Sequence, residues 1–172
     1  MASIYTNQDK NIRRTWILMT AFFVVVIGVG WLFSYIFGNQ IILYVAVLFS
    51  ILMNFFSYWN SHKIVLAVSG AKEASVHEYR ELHTIVENLA ITAGLPKPKV
   101  YIIQDQAPNA FATGRNKEHA AVAVTVGLLR VLERNELEGA IAHELSHIGN
   151  RDMFVSTIAV MLVGFVTLLS DF

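Results

Sequence analysis

The sequence contains no cysteine. That excludes disulfides, thiolate zinc sites and thiol catalysis, and leaves histidines and carboxylates as possible metal ligands. It carries no net charge either: 13 basic residues balance 13 acidic ones. No overall field would therefore gather nucleic acid or an acidic substrate. Charge of any sign is scarce, at 15% of residues, whereas 55% are hydrophobic. The apolar excess is gathered into three uncharged runs.

The first run, Trp16 to Phe37, has 22 residues, and the second, Ile41 to Trp59, has 19. A helix of about 20 apolar residues crosses the ~30 Å hydrocarbon layer of a bilayer. The polar turn Gly38-Asn39-Gln40 joins them, and Trp16, Tyr58 and Trp59 stand at the ends away from it, where interfacial aromatics belong. A cleaved signal peptide is a poor match, because the first run is too long and a second follows at once. Lys10, Arg13 and Arg14 precede the pair, Lys63 and Lys72 follow it, and the turn has no basic residue. The bias predicts a hairpin anchor over residues 1–60 with both ends, and the domain that follows, in the cytoplasm.

Residues 61–152 read as a small α+β domain. Ser75 and Glu78 have capping-box spacing and predict a helix start at Ser75. Val76, Tyr79, Leu82, Val86, Leu89, Ala90 and Ala93 form its apolar stripe, and Gly94 with Pro96 ends it. His77 and His83 on this helix read as surface or core residues rather than ligands. Lys99–Gln104 predicts a strand. Ala110–Ala112 and Ala120–Val126, separated by Thr113-Gly114-Arg115-Asn116, predict a hairpin. A short helix is expected from Gly127 to Leu132, and a longer one, capped by Asn135, to Asn150. The third run, residues 153–170, has 18 uncharged residues and predicts the start of a third transmembrane helix.

The long helix contains His143-Glu144-Leu145-Ser146-His147. Residues four apart share a helix face, so both imidazoles can reach one zinc ion at ~2.0–2.1 Å. Glu144 lies ~100° round the helix from His143, near the cleft but off the ligand axis, which suits a general base. With this composition the pattern arises by chance roughly 0.01 times. Its setting, a capped amphipathic helix preceded by a strand able to hold an extended chain, also suits a zincin. A metzincin would need glycine and histidine three and six residues after His147; Asn150 and Met153 stand there. Of the acids after Glu144, Asp152 suits orienting a metal-bound histidine from behind, or a plain surface position beside Arg151. Asp171 lies at the far end of the third run. The third ligand is therefore expected beyond residue 172.

The segments Pro108–Gly114, Ala121–Thr125 and His143–His147, followed by Asn150-Arg151-Asp152, resemble the HtpX-type membrane zinc metalloproteases over essentially the whole chain. The resemblance implies a zinc-dependent endopeptidase of the bacterial inner membrane that acts on misfolded membrane proteins. It also implies two further spans after the motif helix, then a glutamate ligand. It puts Asn109 beside the cleft, where its amide would contact substrate backbone; the local alternative is a turn residue, a position asparagine favours. His119 is not expected to be a ligand. A non-catalytic membrane module, or an inactive fragment lacking its third ligand, is the competing reading.

Overall fold

The computed structural model describes residues 4–150 together with 152 and 153. Two long helices come first, α1 (Ile4–Phe37) and α2 (Ile41–Val68). They turn at Gly38, whose φ of 62° is costly for a residue with a side chain. They approach closely at Gly30, where an added Cβ would lie 2.3 Å from the Ala46 Cβ. Small residues at such a crossing let two backbones pack tightly. The outward faces expose large apolar side chains, among them Trp16, Val24, Trp31, Leu48 and Phe55. Both helices are long and apolar enough to cross a membrane, over Asp9–Phe37 and Ile41–Asn60. The third uncharged run lies outside the described residues, apart from its first member, Met153.

Each helix runs past its apolar segment, α1 beginning at Ile4 and α2 ending at Val68. Asn11 and Thr15 in the first extension are buried on one stripe with Met19 and Phe22 of the apolar segment. There the Asn11 side-chain amide donates to the carbonyl of Asn150 at 3.2 Å.

The remaining elements are β1 (Lys72–Glu73), α3 (Arg80–Thr92), β2 (Lys99–Ile103), β3 (Ala110–Gly114), a 3-10 turn (Lys117–His119), β4 (Ala120–Thr125), α4 (Val126–Val131) and α5 (Arg134–Asn150). The sheet order is β1-β2-β4-β3. β2 and β4 are parallel, and β3 and β4 form the expected antiparallel hairpin, with Ala112 opposite Val122. β3 is an edge strand.

Every residue of β4 is buried because helices cover both faces of the sheet. Val122 and Val124 join Val100, Ile102, Leu82, Ile85, Val86, Leu137, Ile141, Leu145 and Ile148 in the main core between sheet, α3 and α5. Ala121 and Ala123 point the other way and pack with Leu66 of α2, with Phe111 and Tyr101 against them. The alternation of valine and alanine thus follows the two sides of the pleat: bulk toward the core, small residues toward the close-lying helix.

Two predicted helix starts are corrected. Residues 76–79 form a turn, α3 begins at Arg80, and its N-cap Tyr79 makes no side-chain cap. Val76 is consequently exposed, and Ile85 takes a core place that the predicted stripe omitted. The long helix begins at Arg134, not after Asn135. The Glu136 carboxylate accepts from the Glu133 N–H at 2.9 Å, so the reach-back that marks a helix start lies two residues earlier. The stop at Gly94 is as expected, with φ 66° just after α3.

Candidate metal centre

Leu137, Ile141, Leu145 and Ile148 bury one face of α5. Each fully buried aliphatic side chain contributes about 1.5–3 kcal/mol, so this face sets how the helix is rotated. Glu144 is thereby turned toward β3, with His143 and His147 further round the helix, away from the core. Among the described residues these three are the group of ligand-type side chains close enough to hold one ion, with donor atoms within 4.8 Å of one another.

The two imidazoles meet edge-on, with Nε2 of His143 3.3 Å from Nε2 of His147. Two nitrogens bound tetrahedrally at ~2.0–2.1 Å from one ion lie ~3.3–3.4 Å apart, so the pair fits a metal of zinc's size. The His147 Nδ1 faces Asp152 Oδ2 at 3.0 Å. A carboxylate there favours the proton on Nδ1 and leaves the Nε2 lone pair free for a metal. The sequence left Asp152 either this place or a plain surface position beside Arg151; here its partly exposed carboxylate lies against His147.

Glu144 is half-buried, and its Oε2 accepts from the backbone N–H of Ala112 at 3.0 Å. This contact joins residues 32 apart in sequence and was not anticipated. Its basis is strand geometry. Asn109 and Thr125 lie opposite each other, with Thr125 N–H donating to the Asn109 carbonyl at 3.0 Å. In an antiparallel pair the bonding alternates, so Phe111 and Thr113 also turn their backbone groups to β4. Ala110 and Ala112 turn theirs outward. Glu144 sits on that outward row.

Asn109 opens the strand and is exposed. Among the described residues no hydrogen bond joins its side chain to His143, Glu144 or His147. Its backbone is fixed by Thr125, whose hydroxyl receives the Asn109 N–H at 2.9 Å and donates toward the Ala107 carbonyl at 2.8 Å. Thr125 is 3% exposed, and sequence reasoning passed it over as one more strand residue. Gly127 supports the same loop: a Cβ there would lie 2.1 Å from the Gln106 carbonyl oxygen. The glycine after a threonine that ends a strand was the available signal.

The other histidines lie elsewhere. His83 Nε2 is 3.0 Å from the Ala74 carbonyl, a partly buried contact. His119 is engaged by Asn116 at 2.7 Å and Arg115 at 2.9 Å in the β3–β4 turn. His62 lies on α2 facing that turn, and its pKa is pushed below the usual histidine value by burial first, then by Lys63, Arg115 and His119.

The profile of peptidase family M48 matches residues 76–171. Curated relatives are named protease HtpX homologs. The one from Pyrococcus furiosus is 51% identical over 92% of this chain and 54% of its own length. That from Thermoanaerobacter pseudethanolicus is 43% identical over 98% of this chain and 57% of its own. That from Desulfatibacillum aliphaticivorans is 48% identical over 96% and 51%. The chain spans about half the length of these relatives.

Proposed function

The chain belongs to peptidase family M48, as its HtpX-like motifs implied, and from that premise we propose that it carries the anchor and the main catalytic helix of a zinc-dependent membrane endopeptidase. The observation that carries the reading is the facing pair of Nε2 atoms at 3.3 Å, with Asp152 behind one ring.

In this reading His143 and His147 hold the metal through Nε2, and Asp152 keeps the His147 proton on Nδ1. A third ligand, a carboxylate outside this sequence, is part of the proposal, since zinc enzymes of this class use three protein ligands. Zinc at this position would supply Lewis-acid chemistry, polarising a carbonyl and making water acidic near neutral pH. Glu144 accepts the proton of the attacking water on its carboxylate and returns it to the leaving amine nitrogen. The Ala112 N–H holds that carboxylate between helix and strand. The outward backbone groups of β3 that remain, the Ala110 N–H and C=O and the Ala112 C=O, align the substrate as an added strand. Asn109, at the head of that strand, contacts the substrate backbone through its amide. The two apolar helices hold the site at a membrane, with the domain on the cytoplasmic side of a bacterial inner membrane, and the substrates are misfolded membrane proteins.

The test uses the full-length protein. Glu144→Gln keeps size and hydrogen bonding but cannot take a proton, so turnover is expected to fall by ~10²–10⁴-fold with metal content unchanged. Undiminished proteolysis by this variant would remove the helix from catalysis.

A further inference from the structure

Two contacts register the soluble domain against the anchor. The Arg115 guanidinium stacks on the Trp59 ring, 4.3 Å from its centroid, at the end of the second apolar segment. Leu66, seven residues further along α2, packs with Ala121 and Ala123, and Phe111 packs against that cluster. Seven helical residues rise ~10.5 Å. The four strand residues from Phe111 to Arg115 cover ~13 Å. On these lengths β3 descends alongside α2, inclined by roughly 40° to its axis, and its last residues arrive near the level of the aromatic boundary.

The depth of the site follows by two separate routes. Ala112, which holds Glu144, is three residues above Arg115, ~10 Å of extended chain. On the other side, Asn11 holds the end of α5 through the Asn150 carbonyl. Asn11 lies five helical residues, ~7.5 Å, beyond Trp16, and Glu144 lies six residues, at most ~9 Å, from Asn150. Both routes keep the Glu144 carboxylate within ~20 Å of the boundary set by Trp16 and Trp59, the length of about six extended residues.

Building on the peptidase reading above, we propose that β3 is a track descending to the membrane, and that the site acts on the juxtamembrane segments of bilayer-embedded polypeptides, about three to six residues from where the chain leaves the lipid. The occupant of the outer β3 edge is then an extended segment continuous with a membrane span, bound beside the Ala112 N–H that Glu144 already takes. A strand added to β3 has one end at the lipid boundary because β3 itself does. Sites further out reach the same edge only by looping back, at a lower effective concentration.

Two measurements on the full-length protein in vesicles test this. The first places a single fluorophore at Lys117, in the turn after β3, or at Asp105, at the opposite end of the sheet, with lipids carrying a headgroup quencher. Quenching at Lys117 should exceed that at Asp105 by at least about twofold. Equal quenching, or the reverse, overturns the descending track. The second maps cuts in a single-span polypeptide with a uniform, repetitive polar tail. Cuts should cluster within about six residues of the span, at least about tenfold over positions 15 residues out. Four more repeat residues inserted at the boundary should leave that distance unchanged. Cuts spread evenly along the tail, or lying at the same residues in the tail freed from its span, overturn the proposal. If neither polypeptide is cut, the peptidase reading fails, and the quenching pair decides the geometry by itself.

Discussion

Helices α3 and α5 pack side by side against the same sheet face, and both carry histidine, yet among the described residues α5 is the one that brings ligand-type side chains together. His83 of α3 turns its Nε2 to the Ala74 carbonyl at the margin of the core. His143 and His147 turn to each other, with Asp152 behind one ring and an edge strand alongside. What separates them is spacing and what lies opposite. Two imidazoles four residues apart share one face, and the buried Leu137-Ile141-Leu145-Ile148 face points that pair away from the core. A lone histidine meets the nearest backbone acceptor instead.

Substitutions in the full-length protein break this contrast in descending order. His143→Ala or His147→Ala should remove bound metal and activity together, while His83→Ala should leave metal content unchanged and cost about 1 kcal/mol through its lost hydrogen bond. Metal analysis after dialysis makes the comparison; equal metal loss from all three would erase the distinction between the helices. Ile141→Ala, which removes a fully buried side chain from α5, should lower unfolding stability by about 2–5 kcal/mol, read from denaturant midpoints. Asp152→Asn keeps the shape but weakens the hold on the His147 proton. Metal affinity should fall about 10–100-fold in a chelator competition, with smaller effects at Asn150.

The smallest effect concerns pH. The pKa of His62 is lowered by burial and by Lys63, Arg115 and His119, so the unfolded state takes up its proton first. Stability from this group is complete above the unfolded value near 6.5 and declines as pH falls through it. His62→Gln should flatten that acid-side decline in thermal melts below pH 6.5. An unchanged slope would mean that His62 does not contribute.

The hairpin, the strands and the H-E-x-x-H helix were readable because each rests on a local signal: an uncharged run, a period of two, a fixed spacing. The helical extensions were not, since Ile4–Thr15 and Asn60–Val68 are of mixed polarity and are ordered by packing on distant elements. The two misplaced starts share one cause. Ser75 with Glu78 and Asn135 with Glu138 both satisfy the capping pattern, but whether a box forms depends on where tertiary contacts let the helix begin. The Ala112–Glu144 bond was invisible because it joins segments 32 residues apart with no motif to pair them, whereas the Thr125 hydroxyl, 16 residues from Asn109, had only the nearby Gly127 to mark it.

The most direct test of the metal centre is the X-ray absorption spectrum of zinc in the purified full-length protein. The account predicts two imidazole nitrogens at ~2.0–2.1 Å, and loss of that imidazole signal in the His143→Ala/His147→Ala variant. Zinc retained by that variant with an unchanged imidazole shell would contradict it.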